Sequence, residues 1–174
     1  MKYLILIALS AIVFFNACKS SKHKLSKAAE NLSYTIEAPG GWEIADTFLM
    51  GQTIIFMRMP LENADDHFLE NATVTTYPND STDDAFIDNT IVNEKNGLIH
   101  FEEKSVSNEH IGVMDFKALE YSHIFGGTPV DVKEYFYFGK DSVYLITLSA
   151  EAGKFPKFKP QFDEIIGSFK LKKK

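Results

Sequence analysis

Hydrophobic and polar positions alternate along most of the chain, and that period breaks in two places. Residues 34–38 (Tyr-Thr-Ile-Glu-Ala) alternate and are rich in β-formers, which predicts a strand, and Pro39-Gly40-Gly41 supplies the turn that ends it. Residues 42–49 and 53–59 predict two more strands joined through Met50-Gly51-Gln52. Residues 60–70 are polar and predict a loop, and 72–77 predict a strand closed by Pro78. The first break follows. Ser81-Thr82-Asp83-Asp84 combines N-cap chemistry with acids suited to a first helical turn. Phe86, Ile87, Ile91 and the aliphatic stem of Glu94 then recur at near-helical spacing, so a helix is predicted over 82–95, stopped by Asn96-Gly97.

Alternation returns after Gly97. It predicts strands over 98–106, 112–125, 130–138 and 142–150, with Val113, Phe116 and Tyr121 facing inward on the second of these. Gly126-Gly127-Thr128-Pro129 and Gly139-Lys140-Asp141 turn the chain between them. The strand over 142–150 is apolar on both faces, which places it centrally in a sheet. The second break is at 155–169, where Phe158, Phe162, Ile165, Ile166 and Phe169 share one helical face. Pro156 and Pro160 lie near its beginning, so the regular helix is expected from Pro160. Strands, helix, strands, helix is the order of an α+β domain: a central antiparallel sheet flanked by helices packed on its faces.

The start of the chain follows a different logic. Met1-Lys2-Tyr3 precedes an apolar run over 4–15, then Asn16-Ala17-Cys18. That run is well short of the roughly 20 residues a bilayer-spanning helix needs, and the order is that of a secretion signal. With a cysteine at the cut, it resembles a bacterial lipoprotein signal, although Phe15 and Asn16 depart from the strict motif. The resemblance implies lipidation of Cys18 and a protein held to a membrane of the bacterial cell envelope, periplasmic or surface-facing. The competing reading is an ordinary secreted protein cut near Ala17, which would leave Cys18 as a free thiol. A lone thiol in a secreted chain is a liability, which favours lipidation. The expected organisation is a signal peptide over 1–17, a flexible tether over 18–31, a single domain over 32–171 and a basic tail over 172–174.

Charge sharpens the picture. Residues 34–169 hold nine Lys and Arg against 23 Asp and Glu, a net of −14. An acidic body argues against nucleic acid, whose binding rests on cationic contacts to phosphate. Lysines gather at the ends instead, at 19, 22, 24 and 27 and at 170, 172, 173 and 174. The lysine-bearing tether either lies against anionic headgroups or is a solvated linker. Cys18 is the only cysteine, so neither a disulfide within one chain nor a Cys/His zinc site of several cysteines is available.

The order of elements, the Pro39-Gly40-Gly41-Trp42 corner, the long strand opened by Gly112, the aromatic strands meeting at Gly139, and Ser142-Val143-Tyr144-Leu145-Ile146-Thr147 leading to a helix that ends Ile166-Gly167-Ser168-Phe169 together resemble the PsbP-like superfamily, which includes Mog-type Ran-binding proteins and many bacterial lipoproteins. The resemblance covers about residues 33–171. It implies an α/β/α sandwich and a mostly non-enzymatic repertoire of accessory subunits, adaptors and small binding modules. It also implies structural roles for Pro39 and Trp42 at a corner, for Gly112 and Gly139 in turns, and for Phe169 in closing a helix face. No photosystem role is carried over.

The expectation is therefore a lipid-anchored, non-catalytic accessory or protein-binding module of the envelope, with a membrane reached through Cys18 and a protein partner. The alternative is a small-ligand or metal-binding envelope protein. Its candidate ligands are Asp65, Asp66, His67 and Glu70, in a loop followed by the acids Asp80, Asp83, Asp84 and Asp88. Oxygen-rich clusters suit hard cations and His67 would suit zinc, but the spacing is not that of an EF-hand, and a solvated acidic surface is the competing reading. There is no G-x-S-x-G elbow, P-loop or G-x-G-x-x-G. No catalytic residue and no cofactor are expected, and an unrecognised hydrolase is the third reading.

Overall fold

The computed structural model describes residues 32–49, 51–61 and 68–172. The expected signal over 1–17, the expected tether over 18–31 with Cys18, the loop residues Asp65, Asp66 and His67, and the last two lysines lie outside the described residues.

The described chain runs β1 (Tyr34–Thr35), β2 (Glu43–Leu49), β3 (Gln52–Arg58), β4 (Asn71–Pro78), α1 (Asp83–Gly97), β5 (Ile99–Ile111), β6 (Met114–Phe125), β7 (Thr128–Phe138), β8 (Ser142–Glu151), α2 (Phe155–Ser168) and β9 (Lys170–Leu171). Seven strands form one antiparallel sheet in the order β2-β3-β4-β8-β7-β6-β5, and β1 pairs separately with β9. The doubly apolar β8 occupies the central position, as its pattern requires.

Side chains alternate across the sheet and build two cores. On one face Phe158, Phe162, Ile165 and Ile166 of α2 pack with Ile146, Leu148, Val74 and Met57. Tyr34, Phe116, Tyr137 and Tyr144 gather around Phe169 there, with ring centroids 5.5–6.2 Å from it. On the other face Phe86, Ile87 and Ile91 of α1 pack on Leu119, Phe136, Val143 and Leu145. Thr82 caps α1 by accepting the Ala85 N–H at 3.3 Å. Trp42 donates its backbone N–H to the Pro39 carbonyl at 3.1 Å and sets its indole 6.0 Å from Phe162, so the expected corner is tied to the helix beneath it.

The expected α/β/α sandwich is corrected. Of the described residues 54% lie in strands and 22% in helices, and the two helices do not balance the seven-stranded sheet. Much of the excess strand lies in the β5–β6 hairpin. Residues 107–111, outside the expected strands, continue β5 and pair register for register with β6 from Ala118 to Met114. The chain reverses at Gly112, whose φ of +64° suits glycine at the first central position of a two-residue hairpin. That reversal puts Val113 at the tip, 95% exposed and not inward as expected. Two smaller differences are local. Helix α2 begins at Phe155 and contains Pro160 in its interior, and the strand expected over 34–38 is shortened to the two residues of β1, whose partner β9 is too short to carry a pattern of its own.

Candidate functional site

The unusual chemistry lies under α1. Strand β7 presents Val130, Val132, Glu134 and Phe136 to that face, all buried. A carboxylate thus interrupts an apolar row. Its cross-strand neighbours are Leu119 on β6 and Thr147 on β8. Glu134 is fully buried (0% exposed), and Glu94, on the buried side of α1, is 3% exposed. Tyr121 and Thr147 each donate a hydroxyl to Glu134 Oε1, both at 3.3 Å. Oε2 has no hydrogen-bond partner among the described residues.

Burial first, and the Glu94 carboxylate second, push the Glu134 pKa up to about 8, while the two hydroxyl bonds pull the other way. Burial and the same two acids raise Tyr77 and Tyr121 well above the ordinary phenol range. His123, two residues along β6 from Tyr121 with the rings 5.9 Å apart, is lowered by burial, and its Nδ1 has no partner among the described residues. Glu134 thus holds a proton at neutral pH. A sealed carboxyl of this kind stores a proton but meets no substrate, because no part of it reaches solvent.

The accessible features surround the tip of the β5–β6 hairpin. A cleft of about 600 Å³ is lined by Asp83, His110, Val113, Phe116, Tyr137 and Phe138. A second, of about 480 Å³ between the hairpin and α2, is lined by Glu109, Lys133, Tyr135, Phe155, Lys159 and Phe162. Lys133 braces the second cleft: Nζ lies 2.6 Å from Glu109 and 2.8 Å from Glu120, above the Tyr135 ring. At the tip His110 Nδ1 and Asp115 Oδ1 are 2.7 Å apart.

The structure places Glu70 differently from the expected acidic loop. It is buried at the head of β4, and its carbonyl accepts the Met59 N–H at 2.9 Å. Asp65, Asp66 and His67 lie outside the described residues. Asp80, Asp83, Asp84 and Asp88 are exposed around the start of α1, with Asp84 paired to Lys117. Among the described residues no group of three His, Cys, Asp or Glu is arranged to hold a metal ion, and no helix is long and apolar enough to cross a membrane. The Glu94–Glu134 pair is absent from the candidates read from sequence, although its signal is there. Glu134 sits in phase with Val130, Val132 and Phe136, and Glu94 in phase with Ile87, Ile91 and Leu98, so each is a charge inside an apolar stripe.

No protein-family model and no curated protein sequence matches the chain. Solved structures do match in shape. Cyanobacterial PsbP from Synechocystis sp. PCC 6803 aligns with a TM-score of 0.58 at 16% identity, over 90% of this chain and 98% of that one. LpqN of Mycobacterium tuberculosis, involved in cell envelope biogenesis, aligns with a TM-score of 0.53 at 12% identity, over 80% and 83%. A Pseudomonas aeruginosa protein of unknown function gives 0.56 at 12% identity, over 75% and 99%. At these identities the likeness concerns fold alone, and by that measure the chain has a PsbP-like fold.

Proposed function

We propose that the chain is a lipid-anchored accessory protein of the bacterial envelope that binds a protein partner and catalyses nothing. The β5–β6 hairpin carries the reading: it offers an apolar Val113, 95% exposed, between two clefts, whereas the most perturbed acid is sealed from any substrate. The involvement of LpqN in cell envelope biogenesis supports the setting. A photo-crosslinking residue placed at Val113 in cells is expected to trap a reproducible partner that the same residue at Glu102 does not. Equal or absent adducts from the two positions would sink the binding surface. Mass spectrometry of the mature N-terminus with membrane fractionation tests the anchor. A lipid on Cys18, lost in Cys18→Ser, is expected; a soluble, unmodified wild-type protein overturns it.

Small-ligand binding is the second reading, favoured by clefts within the volume range of ligand pockets. A thermal-shift screen in which no compound moves Tm would remove it. Its metal form, resting on Asp65, Asp66, His67 and Glu70, fails if calorimetry with calcium and zinc shows no heat.

A further inference from the structure

The larger of the two clefts brings aromatic and acidic groups together at one end of the sheet. Phe116 on β6 and Tyr137 and Phe138 on β7 line it, and Val113 and Met114 of the hairpin tip complete its apolar part. The rings are fixed by their neighbours: Phe116 and Tyr137 have centroids 5.9 Å apart, and Phe138 meets Phe86 of α1 edge-on at 5.9 Å. Tyr137 and Phe138 are half-buried, so the packing that holds them leaves each with open surface. The first turn of α1 supplies Asp83 to the rim, and the hairpin supplies Asp115 and Glu109.

The cations around the cleft are already engaged. Lys117 lies in an ion pair with Asp84, His110 Nδ1 is 2.7 Å from Asp115, and Lys133 is held between Glu109 and Glu120. Lys140, two residues beyond Phe138, is exposed and does not line the cleft. Asp83 has no hydrogen bond or ion pair among the described residues and acts on Lys117 only through space. Setting Asp83, Asp84 and Asp115 against Lys117 leaves two negative charges over, and one even when His110 carries a proton. Asp80 and Asp88, exposed before and after the first turn of α1, add charge of the same sign.

We infer that this cleft receives an arginine side chain of the protein partner, its guanidinium seated between the half-buried rings and the unmatched carboxylate of Asp83. The inference rests on the proposed binding surface at Val113 and names the chemistry that this surface reads. A guanidinium is planar and weakly hydrated, so it lies on an aromatic face while its fork of donors meets a carboxylate, which a lysine ammonium does less well. Its aliphatic stem suits Val113 and Met114. An anionic group would meet the surplus of negative charge and be repelled. At about 600 Å³ the cleft has room for the side chain and the backbone beside it, which favours an extended segment over a small free amine. The charged contacts are exposed, so each strengthens binding by up to about 5-fold and is screened by salt.

The test titrates the chain from Cys18 onward, carrying Cys18→Ser, with the blocked tripeptide acetyl-Gly-Arg-Gly-amide, followed by the backbone amide shifts of isotope-labelled protein. The citrulline counterpart has the same shape without the charge and is the control. Shifts gathered at residues 108–117, 137–138 and the start of α1, produced by the arginine peptide and not by the citrulline one, are the expected result. They should weaken with salt and by about 5-fold in Asp83→Asn, and Asp83→Glu should restore them. The spectrum of each variant shows that it is folded. Absence of shifts, equal shifts from the citrulline peptide, tighter binding of the polyamine spermidine, or an affinity that Asp83→Asn leaves unchanged would overturn the inference. Photo-crosslinking separates this outcome from the reading on which it rests. A Val113 adduct undiminished in cells by Asp83→Asn keeps the partner and loses the arginine contact; arginine-dependent shifts without any Val113 adduct in cells keep the arginine site and lose the partner.

Discussion

Glu134→Gln should flatten the pH dependence of stability in the neutral range. The folded protein holds the Glu134 proton up to a pKa of about 8, against an ordinary 4.5. A group raised in the fold contributes stability that is complete below its unfolded pKa and is lost as pH climbs through the folded one. At 1.36 kcal/mol per pKa unit the full loss is on the order of 5 kcal/mol, a large part of the 5–15 kcal/mol typical of a domain; most of it accrues below pH 7, and about 1 kcal/mol is lost between pH 7 and 9. His123 acts in the opposite sense. Its folded pKa is lowered, so its contribution is lost as pH falls from 6.5 through the folded value, and it is level above about pH 7. The window from pH 7 to 9 therefore isolates the glutamate. The substituted glutamine would keep an acceptor for Tyr121 and Thr147, and its amide would need a partner, at a cost of about 1 kcal/mol. Urea unfolding followed by the single tryptophan, Trp42 against Phe162, reads the result. Wild type should lose stability steadily from pH 7 to 9 while Glu134→Gln stays level and overtakes it at the alkaline end. A flat wild-type profile, or a slope that survives the substitution, would refute the assignment of the proton to Glu134.

Other perturbations test other parts of the fold. Phe162→Ala removes a ring buried between Trp42 and Phe155 and should cost about 3–5 kcal/mol, with a red-shifted Trp42 emission in the native state; a cost below about 1 kcal/mol would contradict the packing. Gly112→Ala meets no atom within 4 Å but must adopt φ +64°, so about 1 kcal/mol is expected in urea melts, with Gly112→Asn milder. Lys133→Met leaves Glu109 and Glu120 facing each other without their shared cation and should cost about 1–2 kcal/mol, less at high salt. Burial pulls the Lys133 pKa down, but the bonds to Glu109 and Glu120 together outweigh it and leave it raised, so the penalty should not change between pH 7 and 9. In hydrogen exchange α1 should be less protected than α2, since it fully buries only Ile87 and Glu94 where α2 buries Phe158, Phe162, Ile165 and Ile166; equal protection would show that the acid pair is no weak point.

What can be read from the sequence follows the strength of local signals. Strand β8 belongs at the centre because it is apolar on both faces, and the sheet order agrees. The α2 face is legible because five large side chains repeat at helical spacing, and the N-terminus of α1 because Thr82 precedes two acids. The errors fall where local pattern is weak or tertiary contacts decide. Residues 107–110 are polar on an edge strand, so before Ile111 nothing apolar marks them as paired. Val113 fits an alternating strand equally well, and only the reversal at Gly112 turns it outward. Strand β9 is two residues long and exists because β1 lies beside it. The acid pair is hidden for another reason: a Glu inside an apolar stripe is ordinarily read through its aliphatic stem, and only two stripes facing each other reveal that both carboxylates share one dry space.

The two faces of the sheet thus divide the work. The α2 face is dry and aromatic, with Phe169 touching four other rings, and it joins the corner at Trp42 to the paired ends at β1 and β9. It provides the stability that a domain without a disulfide must draw from its core. The α1 face gives up part of its apolar stripe to Glu94, Glu134 and His123, groups that packing alone would replace with leucine or phenylalanine. A buried unpaired carboxyl destabilises a fold by several kcal/mol unless it stays protonated. Ionising Glu134 therefore weakens the packing of α1 on the sheet, and burial resists that ionisation by raising the pKa. Helix α1 begins beside the cleft that Asp83 shares with Val113 and the hairpin tip. Asp83 thus belongs both to the first turn of α1 and to the lining of that cleft.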